Sequence, residues 1–186
     1  MSDEKRREDQ DGEILRWILG VNIRAHKRKQ QLEKRLLEIK AEENMPIGGQ
    51  GYDPLPRGSS TGTGAAGIIF KLDEIEERIL KQKASIQRAI LQVMDILEYL
   101  PEDSAERNIC ELRYIDRMPM EEVAEEVGLS RAGAYKVHDN GIIILLQQQR
   151  VRKIIDDYRL EYLDYSIGKQ LARAKKDTSG RTFQDG

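Results

Sequence analysis

The sequence predicts an all-α protein in which long N-terminal and heptad-patterned helices precede a C-terminal helix-turn-helix bundle. Apolar residues recur at helical spacing along most of the chain, and a heptad repeat runs from Ile68 to Leu100. The stretch from Leu112 to Leu146 has the pattern of two short helices joined at a glycine. With 34% charged and 5% aromatic residues among 186, extended helices with thin cores are favoured over one large globule.

The first segment, residues 1–44, contains a helix predicted from Asp11 to about Glu43. Its apolar positions follow helical spacing: Ile14, Ile18, Val21, Ala25, Leu32, Leu36 and Ile39. Residues 24–40 carry a net charge of +5 from seven Lys and Arg against two Glu. Such a basic run can contact a phosphate backbone or an acidic protein surface, and it can equally be a solvated helix face.

The second segment, residues 45–67, is rich in glycine, proline and serine and predicts a linker. Its glycines are not followed by Gly-Lys-Ser or Gly-Lys-Thr, so a nucleotide-binding loop is not expected.

The third segment, residues 68–100, predicts a coiled-coil seam, because two rows of residues recur every seven positions. One row is Leu72, Ile79, Ile86, Val93 and Leu100, and the other is Ile68, Ile75, Gln82, Ala89 and Ile96. This seam can pair with the first helix of the same chain or with another subunit. Self-association, as a dimer above all, is the favoured interpretation, with the seam residues Leu72, Ile75, Ile79, Ile86 and Val93.

The fourth segment, residues 101–165, predicts the helix-turn-helix domain and a C-terminal helix. Asp103 or Ser104 can cap a helix reaching Asp116, and Pro119 is well placed to begin the first helix of the motif. A helical stripe then continues to about Tyr165, and residues 166–186 are expected to be disordered.

The motif itself is predicted from residue types that suit two crossing helices. Its core residues are Val123, Ala124, Val127, Gly128, Leu129 and Val137. A small residue suits the closest approach at Ala124, a left-handed conformation suits Gly128, and Leu129 is expected to fill the corner. Ser130 is an N-cap for a second helix beginning at Arg131. Gly133 and Gly141 weaken that helix, so we expect it to kink or end near His138.

Several function classes are not expected. The single cysteine, Cys110, excludes an internal disulfide and a multi-cysteine zinc site, and His26 and His138 belong to no ligand cluster. No cofactor, metal site or catalytic constellation is indicated, so the protein is not expected to be an enzyme. No apolar run reaches the roughly 18 residues of a membrane span, and the polar start differs from a signal peptide, which predicts a cytoplasmic location.

The motif LRYIDRMPMEEVAEEVGLSRAGAYKVHDNGIIILL closely resembles region 4 of bacterial sigma factors. It is most similar to the short phage-encoded, sigma-like regulators of the ArpU and RinA type, and DPLPRGSSTGTGAAG resembles the linker of such phage proteins. The resemblance spans about Gly51 to Leu146. It implies a phage or prophage transcription regulator, acting on late genes in the cytoplasm of a bacterial host and reading double-stranded DNA.

The resemblance implies that residues just after the cap face the major groove. The candidate DNA-binding residues are Ser130, Arg131, Ala132, Tyr135, Lys136 and His138. Ala132 departs from the acidic residue of primary sigma factors, so the same promoter sequence is not implied.

Charge argues against a monomer that binds DNA through this module alone. Residues 102–146 carry a net charge of −5, whereas phosphate neutralisation supplies most non-specific affinity. A symmetric dimer on two half-sites or host RNA polymerase can supply the missing contacts. Two alternatives stay open: a small terminase-like DNA-packaging subunit, and a helical adaptor that binds no DNA.

Overall fold

The computed structural model describes residues 3–43 and 65–179, and these residues form seven helices and no strand. The helices are α1 (Asp3–Leu19), α2 (Val21–Glu43), α3 (Ala65–Leu97), α4 (Ala105–Tyr114), α5 (Met120–Glu126), α6 (Arg131–Gln147) and α7 (Gln149–Ser179). The all-α class is confirmed. Residue 44 and residues 45–64 of the predicted linker lie outside the described residues, and residues 65–67 belong to the first turn of α3.

Three predicted boundaries need correction. The single N-terminal helix is two helices, α1 and α2, which meet at Gly20. The predicted disorder from residue 166 is wrong as far as Ser179, because α7 continues to that residue. The predicted end of the helix near His138 is also wrong, since α6 runs through Gly141 to Gln147, and the alternative of a kink there stays a prediction.

The chain divides into two compact units. Among the described residues, the first unit, which we call the bundle, comprises residues 3–22 and 91–179, and the second, the hairpin, comprises residues 23–43 and 65–90. The N-terminal segment predicted as a separate region is therefore shared, because α1 belongs to the bundle and α2 from Ile23 belongs to the hairpin.

In the bundle, α1 packs against α6 and α7, and α4 and α5 pack against α6. The side chains of Ile14, Leu15, Ile18 and Leu19 in α1 are fully or almost fully buried. Trp17 lies among the rings of α7, with a centroid distance of 5.8 Å to Tyr162. Such ring pairs add about 0.5–1.5 kcal/mol to the burial term. The N-terminal helix is thus part of the core of the C-terminal unit.

In the hairpin, both helices bury positions one heptad apart. Ala25 and Leu32 are buried in α2, and Ile79 and Ile86 are buried in α3. Leu32 of α2 and Gln82 of α3 line the same groove, and an ion pair of 3.2 Å joins Lys40 of α2 to Glu76 of α3, so the two helices lie side by side. The period-seven pattern therefore describes packing within one chain.

The residues predicted for self-association are buried or half-buried within the single chain. Ile79, Ile86 and Val93 are buried within the chain, and Leu72 and Ile75 are half-buried. The pairing of the seam with an earlier helix of the same chain accounts for the burial in the hairpin. Self-association itself stays a prediction.

None of the described helices is both long enough and apolar enough to cross a membrane.

Candidate nucleic-acid interface

The turn between α5 and α6 depends on Gly128. Its φ is +67°, and no atom lies within 4 Å of the position that a Cβ would occupy. Backbone conformation, not lack of space, therefore favours glycine here. The N–H of Leu129 donates to the carbonyl of Ala124 at 2.9 Å, which closes the turn and sets where α6 begins.

A small apolar core fixes the crossing of the motif helices. Its buried members are Ile109, Met120, Val123, Ala124 and Ala134, and the half-buried members packed against it are Leu112, Met118, Val127 and Val137. The predicted core residues Val123, Ala124, Val127 and Val137 all lie here. Leu129 does not: it is 40% exposed, so the prediction that it fills the corner is wrong. The large buried members of this core are Met120, Val123 and Ile109 instead.

Ser130 caps α6, as predicted. Its extended backbone lets its Oγ accept a hydrogen bond of 3.1 Å from the N–H of Gly133. A Cβ on Gly133 would lie 3.2 Å from that Oγ, so the small residue keeps the cap close to the helix. A side-chain cap of this kind contributes about 1 kcal/mol. It defines Arg131 as the first residue of the helix.

Four predicted residues lie exposed at the start of α6: Arg131, Ala132, Tyr135 and Lys136. Positions 131, 135, 139 and 143 form one row in steps of four, and all are exposed. We call this row, with Ala132 and Lys136 beside it, the recognition face. Its N-terminal half presents two cations and an aromatic ring to solvent.

Arg131 already has partners in the chain. Its Nη2 lies 2.8 Å from Glu121 Oε1 of α5, and its guanidinium carbon lies 5.8 Å from the centroid of the Tyr135 ring. The Arg131 side chain is 65% exposed. An exposed pair of this kind stabilises by about 1 kcal/mol or less, so another anion or a base edge can replace Glu121.

His138 is not part of this face, and its assignment as a DNA-binding residue is wrong. It is 6% exposed, and its Nε2 lies 2.9 Å from the hydroxyl of Tyr114. Its Nδ1 lies 3.2 Å from Asp139 Oδ1. Neutral His138 with a proton on Nδ1 donates to Asp139 and accepts from Tyr114. Burial, the largest cause, lowers the pKa of His138.

Asp139 and Arg16 were missed by sequence reasoning. Asp139 lies in the middle of the recognition face, and Arg16 of α1 donates to it at 2.9 Å. Burial acts to raise the pKa of Asp139, but the hydrogen bonds from Arg16 and His138 lower it overall. The two partners are 123 residues apart, so no local pattern could indicate the pair. Arg16 thereby offsets the negative charge of this face.

The continuity of α6 past His138 has a packing cause. A Cβ on Gly141 would lie 3.2 Å from Glu106 Cβ and 3.5 Å from Cys110 Sγ of α4. Gly141 therefore lies where α4 and α6 approach each other closely, and this packing outweighs the cost of a glycine within a helix, about 1 kcal/mol.

Burial raises the pKa of the Cys110 thiol to about 12, so Cys110 is an unreactive core residue.

The side chain of Asn22 joins the N-terminal segment to the motif. Its Nδ2 donates to the carbonyls of Tyr114 and Ile115 at 2.9 and 3.0 Å, which satisfies backbone acceptors at the end of α4.

The surroundings of the recognition face are acidic. Glu121, Glu122, Glu125 and Glu126 of α5 are all exposed. Glu121 and Glu122 stabilise the N-terminal end of α5 through the helix dipole, but they repel phosphates.

Among the described residues, no group of three or more His, Cys, Asp or Glu side chains could hold a metal ion.

Comparisons with known proteins leave the resemblance to sigma region 4 as an expectation. No family model matches the chain, and neither the curated proteins nor the solved structures contain a match to it.

Proposed function

We propose that this protein is a sequence-specific transcription regulator that binds double-stranded DNA with the N-terminal half of α6 in the major groove. The observation that carries the proposal is the exposed start of α6, capped by Ser130 and held by a closed core behind it. In helix-turn-helix proteins this is the part of the second helix that contacts base edges.

The recognition face supplies suitable chemistry. The guanidinium of Arg131 can donate two hydrogen bonds to O6 and N7 of a guanine, and Lys136 can donate to a base or a phosphate. The ring of Tyr135 can contact a thymine methyl group, and its hydroxyl can bond a phosphate. Ser130 supports binding by positioning the helix start rather than by reading a base. Ala132 leaves room for a base pair to approach.

Base reading by Arg131 requires it to exchange Glu121 for DNA. A wrong sequence that offers no acceptor leaves Arg131 on Glu121, so the ion pair favours the unbound state by a small amount. Glu121 therefore competes with a base edge for Arg131 at the correct site, whereas binding to a wrong sequence leaves the ion pair in place. Removing this carboxylate should tighten specific binding more than non-specific binding.

The acidic α5 implies that other contacts hold the protein on DNA. We propose two sources, a second copy of the chain on a neighbouring half-site and host RNA polymerase, as the sigma-like resemblance implies. The four exposed glutamates of α5 suit a cationic protein surface, which supports the polymerase contact. Late phage genes in a bacterial cytoplasm would be the setting in which such a regulator acts.

Selection of bound fragments from a random duplex pool, with and without host RNA polymerase, tests the proposal. A motif enriched by the protein alone supports an autonomous regulator, and a palindrome in it supports a symmetric dimer. A motif seen only with polymerase supports a sigma-like factor. The matched control is Arg131→Ala/Lys136→Ala, which should enrich no motif while keeping its helicity. Absence of a motif in every arm would contradict the proposal.

One observation favours a second function. The same four glutamates are what an adaptor that binds a basic protein needs, and such an adaptor needs no DNA site. A measurement of the mass in solution distinguishes a small terminase-like subunit from the regulator and the adaptor, since such a subunit would assemble as a ring of many copies.

A further inference from the structure

The hairpin has a groove between α2 and α3 whose charged lining is entirely basic. The groove has a volume of about 710 Å³. Its cationic residues are Arg24, Lys27, Arg28 and Arg35 of α2 with Arg78 and Lys81 of α3, and the other lining residues are Gln31, Leu32 and Gln82. Among the described residues, no carboxylate lines it. We call this surface the basic groove.

The cations of the basic groove are neutralised unequally. Arg78 pairs with Glu74, and Lys81 lies 2.7 Å from Glu77, each one turn back on α3 and outside the lining. Lys27, Arg28 and Arg35 are exposed and form no ion pair within the described part of the chain. The three unneutralised cations of α2 repel one another, and an anion bound beside them would relieve that repulsion.

The lining residues distinguish between two kinds of anionic partner. Protein interfaces have an apolar and aromatic centre, whereas the described lining of this groove contains no aromatic residue and a single leucine, which is buried. Four of the six cations are arginines, whose planar fork suits phosphate oxygens, and glutamines contact phosphate and sugar as well. The chemistry favours a phosphate backbone over an acidic protein.

We infer that the basic groove is a second, sequence-independent binding surface for the phosphate backbone of double-stranded DNA. Arg24 to Arg35 spans about 16 Å at 1.5 Å per residue. Phosphates of one strand follow every 3.4 Å of duplex axis and wind around it, so this row is long enough to contact more than one of them. The surface goes beyond the proposed function, because it does not require α6 to read any base. It supplies the phosphate contacts that the acidic helix-turn-helix lacks.

The test compares two variants of the full chain with equal changes of charge. Arg28→Gln/Arg35→Gln removes two unneutralised cations from the groove, and Lys34→Gln/Lys83→Gln removes two exposed cations that lie outside it. Binding to a random-sequence DNA duplex is measured by fluorescence anisotropy between 50 and 200 mM salt.

We expect the groove variant to lower the slope of log affinity against log salt by about 1.8, since each lost phosphate contact changes it by about 0.9. The wild type should then lose about twelvefold more affinity than the groove variant over this salt range. The control variant should follow the wild type.

Two results would overturn the inference. One is an equal slope for the groove variant and the wild type, and the other is an equal loss in both variants, which would indicate a general charge effect. A third arm uses poly-glutamate: binding of this polymer that depends on Arg28 and Arg35, with unchanged duplex binding, assigns the groove to an acidic protein. Failure of the proposed function gives a different result, a duplex selection without a motif, because a random duplex does not test base reading.

Discussion

Two regions of this chain, the α5–α6 motif and the α2–α3 hairpin, bury similar aliphatic side chains but expose opposite charges. The motif holds its helices at a defined crossing with a glycine turn, a serine cap and a closed core. The hairpin aligns two long helices along one seam and carries its cations in a groove. A short motif with fixed geometry suits the reading of base edges, whereas a long charged groove suits a repeating phosphate backbone. The comparison suggests that selectivity and charge are divided between the two units.

The largest expected effect concerns the seam of the hairpin. Ile79→Lys places a charge at a position that is 8% exposed, and we expect a loss of several kcal/mol in the stability of the hairpin. Leu80→Lys is the matched control, because Leu80 is the next residue and is 63% exposed. Hydrogen exchange should show lost protection in α2 and α3 for Ile79→Lys only. Light scattering on the same samples tests whether a change in mass accompanies it. Equal protection in both variants would contradict the packing of the seam.

The next effect separates base reading from phosphate binding. Arg131→Ala and Lys136→Ala should each weaken binding to the selected site by about 1–3 kcal/mol and leave random-duplex binding almost unchanged. Arg28→Gln/Arg35→Gln should do the reverse. Affinities for both duplexes at one salt concentration measure this, with circular dichroism to check helicity. If Arg131→Ala and Lys136→Ala both bind the selected site as the wild type does, α6 is not the reading helix.

A smaller effect tests the turn that distinguishes the motif from the hairpin. Gly128→Ala should cost about 1 kcal/mol of unfolding free energy, because an L-residue at φ +67° is strained even though the added methyl group meets no atom. Gly168→Ala in α7 also meets no atom but has a helical backbone, so it should stabilise by up to about 1 kcal/mol. Urea denaturation gives both values. Changes of the same sign in the two variants would argue against the strained turn.

The smallest expected effect is on the pH dependence of folding stability, and it arises from His138 in the bundle. Because burial lowers the pKa of His138 from its usual 6.5, the unfolded chain binds a proton more readily than the folded chain does. This contribution to stability is full above about pH 6.5 and is lost as the pH falls below it. The urea midpoint of the wild type should therefore decrease more between about pH 7 and pH 5.5 than that of His138→Gln. Parallel curves would show that His138 titrates alike in both states.

Local signals predicted the motif well. The cap at Ser130 and the left-handed Gly128 depend on neighbours within a few residues, and both are confirmed. Long-range contacts could not be predicted in this way. The Arg16–Asp139 pair and the burial of His138 against Tyr114 depend on how distant helices meet. His138 was predicted as a DNA-binding residue from its position on α6, and this position alone does not tell which neighbouring side chains cover it.

The heptad repeat shows a second limit of prediction. A period of seven indicates a seam but not the partner, and an intrachain partner and a second subunit leave the same pattern in α3. The decisive information lies in α2, where Ala25 and Leu32 repeat with the same period. The prediction for Leu129 was wrong for a different reason: it came from the place of this residue in the motif, whereas Leu129 is 40% exposed and lies outside the buried core.

The bundle is assembled from two separate stretches of the chain, and Asn22 on the first of them bonds the carbonyls that end α4. During synthesis the hairpin, which is one continuous stretch, is complete when residue 90 has left the ribosome. The bundle must wait for α7, whose tyrosines surround Trp17 of α1. The order of translation therefore completes the unit that carries the basic groove before the unit that carries the α5–α6 motif.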